Sequence, residues 1–195
     1  VLPLIGFGQG WETTFGGTSI DRGYLVQETS DGGYVIFGET EVETKHLYLI
    51  KTNELGQQEW EKTYDTNTSM GSGWSSTCYF TPNVNGQQTS DGGYIIVGHT
   101  SYENDLNSLL IYLIKTDENG EQEWSQTYSG EGIPIPVGLD VIQTTDGDYV
   151  ILGNYTNHKI SLNVLNSLFL LKVDENGDEI EWDYFFEGDP LNPED

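Results

Sequence analysis

The sequence predicts an all-β fold made of three four-stranded antiparallel units, and three observations predict it. The first is a repeat: Thr29-Ser30-Asp31-Gly32-Gly33-Tyr34 returns as Thr89-Ser90-Asp91-Gly92-Gly93-Tyr94 and, altered, as Thr144-Thr145-Asp146-Gly147-Asp148-Tyr149. The second lies downstream of each copy. An apolar run closes on a lysine (Tyr48 to Lys51, Tyr112 to Lys115, Phe169 to Lys172), and a second turn then leads to a tryptophan, Trp60, Trp124 or Trp182. The third is the local pattern: short alternating, β-branched or aromatic runs bounded by Gly, Asp and Asn, with no helical stretch. The turns recur at roughly 55–60 residues, a period that marks stacked supersecondary units and leaves room for four strands in each.

Taken in order, Gly10 to Gly17 contains Gly-Trp-Glu-Thr-Thr-Phe, the pattern of a unit's fourth strand, so an extra N-terminal strand is predicted at residues 10–17. In the first unit, residues 18–65, strands are predicted at Tyr24 to Thr29, Tyr34 to Thr40, His46 to Thr52 and Gln58 to Tyr64. Ser30-Asp31-Gly32-Gly33 is a hairpin turn whose glycines tolerate positive φ. Strands three and four are joined by Asn53-Glu54-Leu55-Gly56, by Asp117-Glu118-Asn119-Gly120 in the second unit, residues 66–129, and by Asp174-Glu175-Asn176-Gly177 in the third, residues 130–188. The second unit carries an insertion near Ser76 to Gly86: Gly73-Trp74-Ser75 reads as the start of an inner strand that resumes at Gln87-Gln88-Thr89. Such insertions become loops on one face, and Trp74, Tyr79 and Phe80 form a candidate partner surface. Residues 189–195, with Pro190 and Pro193, read as a tail leaving a single repeat domain of residues 1–188.

Four antiparallel strands per unit, with a tryptophan in the last, resemble β-propeller blades. Asp117, Gly120 and Trp124, and Asp174 and Gly177 before Trp182, resemble the tryptophan-docking turns of quinoprotein-type propellers, in which the tryptophan stacks on the next blade. The Asp-Gly-Gly-Tyr hairpin and the Leu-Ile-Lys-Thr-Asp-Glu-Asn-Gly segment are more similar to propeller repeats of secreted archaeal and bacterial surface proteins. The resemblance implies that Trp11, Trp60, Trp124 and Trp182 dock neighbouring blades and that the chain is extracellular or at a cell surface. It leaves activity open, because propellers host many.

Propellers close with four to eight blades, and three blades with one extra N-terminal strand do not close. Each open end face would expose several hundred Å² of apolar surface, worth on the order of 10 kcal/mol at about 25 cal/mol per Å². The expected partners are therefore further copies in a homo-oligomer or filament, or missing blades of a longer chain. The extra strand has an edge to offer, and edges template strand addition; Val1-Leu2-Pro3-Leu4-Ile5 would be its apolar arm, and capping its own first blade is the alternative. Val1 in place of an initiator methionine reads as a processed or excised piece.

Composition narrows the partners. Among 195 residues, 32 acids face 7 lysines and arginines, for a net charge of −25. That charge repels nucleic acid phosphates and anionic lipid, both bound through basic excess, and no run of about 18 apolar residues suits membrane insertion. Carbohydrate or another surface protein remains a compatible ligand. The lone Cys78 forms no intramolecular disulfide, so packing must hold the repeats.

The sequence yields little that reads as catalytic. His46, His99 and His158 lack the spacing of a zinc site, and no phosphate loop, dinucleotide fingerprint or Gly-x-Ser-x-Gly is present. Asp117, Asn119, Asp174, Asn176 and Asp178 offer hard oxygen ligands on turns, as calcium prefers, against the plainer reading of solvated turns. Lys51, Lys115 and Lys172 are expected to pair with acids as part of the repeat. Asn67 and Asn154 fit the N-glycosylation pattern. The expectation is a non-enzymatic extracellular module for surface binding, adhesion or self-assembly; the alternative is a fragment of a secreted quinoprotein-like or carbohydrate-active propeller enzyme.

Overall fold

A computed structural model of the chain describes residues 12–42, 44–64, 84–101, 109–128, 136–156 and 166–186. Among the described residues twelve strands form three antiparallel sheets, each in simple up-and-down order. The first holds β1 (Ile20–Glu28), β2 (Tyr34–Val42), β3 (Thr44–Thr52) and β4 (Gln58–Tyr64). The second holds β5 (Asn85–Gln88), β6 (Tyr94–Ser101), β7 (Leu109–Thr116) and β8 (Gln122–Tyr128). The third holds β9 (Pro136–Gln143), β10 (Tyr149–Thr156), β11 (Asn166–Val173) and β12 (Ile180–Phe186). This is the predicted unit, compatible with propeller-type blades, and the three sheets do not close into a ring.

Boundaries moved where the pleat is interrupted. The first strand begins at Ile20 instead of Tyr24, because the ladder with β2 shifts register between Gly23 and Leu25 and continues past Tyr24 as a bulge. The third begins at Thr44 instead of His46. In the second unit the first strand is Asn85–Gln88, so the predicted resumption at Gln87 starts two residues earlier; Gly73-Trp74-Ser75 lies outside the described residues. Of the N-terminal strand predicted at residues 10–17, residues 12–17 are described. They run ahead of β1 without a ladder of their own among the described residues, tied to it by the Gly17 N–H donating to Asp21 Oδ2 at 3.0 Å.

The two-residue period decides where the cores sit. In β2 and β3 of the first sheet, Val35, Phe37, Leu47 and Leu49 point to one face and meet Tyr94, Ile96, Tyr112 and Ile114 of the second sheet. The alternate residues of the second sheet, Ile95, Val97, Ile111 and Leu113, face the other way and meet Val141, Tyr149 and Ile151 of the third. Each central strand is therefore apolar on both faces, as a sheet covered on both sides requires. We term the face turned toward the next sheet the far face, and the opposite one the near face.

Candidate functional site: sheet junctions and open end faces

Each repeat block builds a hairpin and a lysine held by acids, buried in the first two copies. Gly32 adopts φ +82 and its N–H donates to Thr29 O, while Thr29 N–H donates to Gly33 O; this is a turn that needs a left-handed residue at one position. Asp31 Oδ1 accepts from Gly33 N–H and Thr29 Oγ1, and Asp31 Oδ2 takes Lys51 Nζ at 2.8 Å. The buried Lys51 also donates to Thr52 O and Glu59 Oε2. Lys115 repeats this set with Asp91, Thr116 O and Glu123. The lysines thus pair with acids as expected, and with their donors taken up they act as charged struts between hairpins.

The second glycine of the block corrects the sequence reading, since only the first takes positive φ. Gly33 is required by close approach: a Cβ there would lie 2.1 Å from Thr52 O and 2.6 Å from Lys51 Nζ. In the third copy Asp148 stands at this place and gives its own carboxylate to Lys172 at 2.6 Å, alongside Asp146 and Glu181. The change in the motif is thus absorbed by a different ion pair.

These nodes hold carboxylates ionised. Hydrogen bonds from Lys51 and Thr29 hold Asp31 well below the usual range. Burial alone would raise Asp91, but donors from Lys115, Thr89 and the Gly93 N–H outweigh it and hold the group at about 2. Thr144 and Lys172 hold Asp146 at about 2. The Tyr94 hydroxyl, buried at a junction, is pushed up to about 12.

Trp60 and Trp124 work between sheets. Trp60 meets Tyr94 of the second sheet edge-on, with ring centroids 5.7 Å apart, and lies over Gly120, where a Cβ would come within 2.8 Å of the indole. Tyr64 Oη donates to the carbonyl of the same Gly120 at 2.9 Å. Trp124 repeats the arrangement on Tyr149 at 5.8 Å and on Gly177, whose carbonyl accepts from Tyr128 Oη. Gly120 and Gly177 have φ of +75 and +71, so both backbone and space exclude a side chain. Ser30 N–H to Gln88 Oε1 and Ser90 N–H to Gln143 Oε1 complete each junction.

The third sheet presents the same far face, and among the described residues no further sheet packs on it. Leu168 is 47 % exposed, whereas its repeat equivalents Leu47 and Ile111 are 1 % and 3 % exposed. Phe186 is 46 % exposed against 5 % and 8 % for Tyr64 and Tyr128. Ile142, Trp182 and Tyr184 are exposed too. At the other end, Val26 pairs with Ile36 on the near face of the first sheet and is 61 % exposed, while its counterpart Val141, paired with Ile151, is 1 % exposed. Phe15 covers part of that near face and leaves a pocket of about 180 Å³ lined by Asp21, Arg22, Ile36, Tyr48 and Ile50.

The acidic turns predicted as calcium ligands serve a local purpose. Asp117 Oδ1 accepts from the N–H groups of Asn119 and Glu121, and Asp174 Oδ1 from those of Asp178 and Glu179. The Asn119 and Asn176 amides lie 3.4 Å from the second oxygens of the same two carboxylates. These acids therefore cap their own turns, and among the described residues no cluster of His, Cys, Asp and Glu is arranged to hold a metal. Asn154 lies inside β10, paired with Leu168, with its Oδ1 shielded from solvent. Trp11, Asn67, Trp74, Cys78, Tyr79, Phe80 and His158 lie outside the described residues. Sequence reasoning missed the exposed Val26, Ile142, Leu168 and Phe186; the available signal was the aromatic four residues after each tryptophan, Phe15, Tyr64, Tyr128 and Phe186.

Neither the models of known protein families nor the curated proteins compared with this chain match it.

Proposed function

We propose that the chain is a non-enzymatic extracellular module of propeller type that works by surface binding and self-assembly through its end faces. One observation carries this: the far face of the third sheet repeats the composition of two buried junctions yet stands open, with Leu168, Trp182, Tyr184 and Phe186 exposed. Apolar patches of this kind on a soluble protein mark interaction sites. Covering the face contributes about 1.5–3 kcal/mol for each large apolar side chain fully buried. The extracellular assignment draws on the net charge of −25 and on the resemblance of the hairpin and lysine segments to secreted propeller repeats.

Sedimentation velocity over a concentration series tests the reading. The unaltered chain is expected to exceed 21.8 kDa as concentration rises, and Leu168→Glu to abolish the increase while leaving the β spectrum intact. A folded chain that stays at 21.8 kDa throughout contradicts self-assembly.

A further inference from the structure

We infer that the far face of the third sheet docks on the near face of the first sheet of a second copy of this chain, so that two copies close head to tail into a six-sheet ring. The inference rests on the self-assembly reading above and names its partner and geometry.

The two internal junctions supply the template. Each places the far face of one sheet on the near face of the next, and the near face of the second sheet offers Tyr94, Ile96, Tyr112 and Ile114. At the same register the first sheet offers Tyr34, Ile36, Tyr48 and Ile50, the same residue types in the same order. The near faces of the second and third sheets are already covered by their neighbours, so among the described residues the matching surface is that of the first sheet. Ile50 is already buried there, but exposed Val26 and half-buried Tyr34, Ile36 and Tyr48 mark the face as incompletely covered, and the pocket beneath Phe15 shows loose packing where the internal junctions leave Tyr94 and Ile96 buried. The first sheet also repeats the seat for a tryptophan, with Gly56 at φ +73.

Docking has a competitor in the same chain. Gly56 is already buried and Phe15 already lies on the near face, so β12 must take the place of the segment at residues 12–17. The two are alike in sequence: Phe15 follows Trp11 as Phe186 follows Trp182, both with phenylalanine where the internal junctions use tyrosine. The contact joins two different faces and is heterologous; such contacts form rings when the rotation closes, and six sheets lie within the range at which propellers close. The joined chains each carry −25, whereas the contact itself is apolar, so screening by salt favours the pair.

Two exposed positions test the inference by sedimentation equilibrium at high ionic strength. Val26→Glu spoils the near face and Leu168→Glu the far face; Leu168→Ser repeats the second with a milder change, and circular dichroism checks each fold. The unaltered chain is expected at twice 21.8 kDa and each variant alone at 21.8 kDa. An equimolar mixture of the two variants regains a pair held by one intact junction, at least tenfold weaker than the unaltered one. If Val26→Glu alone pairs as tightly as the unaltered chain, or the mixture regains nothing, the head-to-tail contact is overturned while self-assembly stands. An unaltered chain that remains at 21.8 kDa overturns both.

Discussion

Lys115 shows how one side chain can hold a repeat together. Its buried ammonium meets Asp91, Glu123 and the Thr116 carbonyl, all at 2.8 Å. Removing one partner of a buried ion pair costs about 3–5 kcal/mol, but Asp91 and Glu123 are 57 % and 47 % exposed and can rehydrate. We therefore expect Lys115→Met to lower stability by about 1–3 kcal/mol in urea unfolding. This node and its two repeats set a pH dependence. Asp91 and Asp146 titrate at about 2 in the folded chain against about 3.9 unfolded, and Asp31 is likewise held well below the usual carboxylate range. The stability these groups contribute is present above about pH 4 and is lost as pH falls through about 2. Urea midpoints measured between these values should fall, and less steeply in Lys115→Met. The pairing of each lysine with an acid was legible in the sequence, because the lysine recurs at one place among many carboxylates. The role of the second glycine was not, since its demand comes from a carbonyl and an ammonium brought close only by the folded hairpin.

At the scale of the element, the fourth strand of each sheet is the connector. Trp60 and Tyr64 on β4, and Trp124 and Tyr128 on β8, grip a turn glycine of the next sheet. Gly120→Ala should therefore cost more than a backbone penalty. Gly147 provides the comparison: it has φ +101 with only Glu175 Oε2 within 4 Å, so Gly147→Ala carries the left-handed cost of about 1–2 kcal/mol. The clash with Trp60 should add about 1–3 kcal/mol to Gly120→Ala, and equal losses in urea unfolding would detach the tryptophan from the junction. Strand order and the turns of the first unit were readable from period and turn residues. The start of β1 was not, because the bulge at Tyr24 breaks the alternation on which strand reading depends. Likewise the segment at residues 12–17 carries the sequence of a fourth strand but lacks three companion strands, and its Phe15 lies over the near face of the first sheet.

At the scale of the whole molecule, the count of sheets matters more than any single site. Three sheets bury two junctions and leave one far face open, and counting the repeats was enough to foresee an exposed end. It was not enough to say which residues would stand out, because Leu168 reads in the sequence like its buried equivalents Leu47 and Ile111. Only the absence of a further sheet among the described residues distinguishes it. Association between two strongly acidic chains through an apolar face has an uncommon salt dependence, since screening weakens the repulsion and leaves the contact intact. The most direct test is sedimentation equilibrium of the unaltered chain at low and at high ionic strength. The account predicts a mass above 21.8 kDa that rises with salt; a single folded species of 21.8 kDa at both would contradict it.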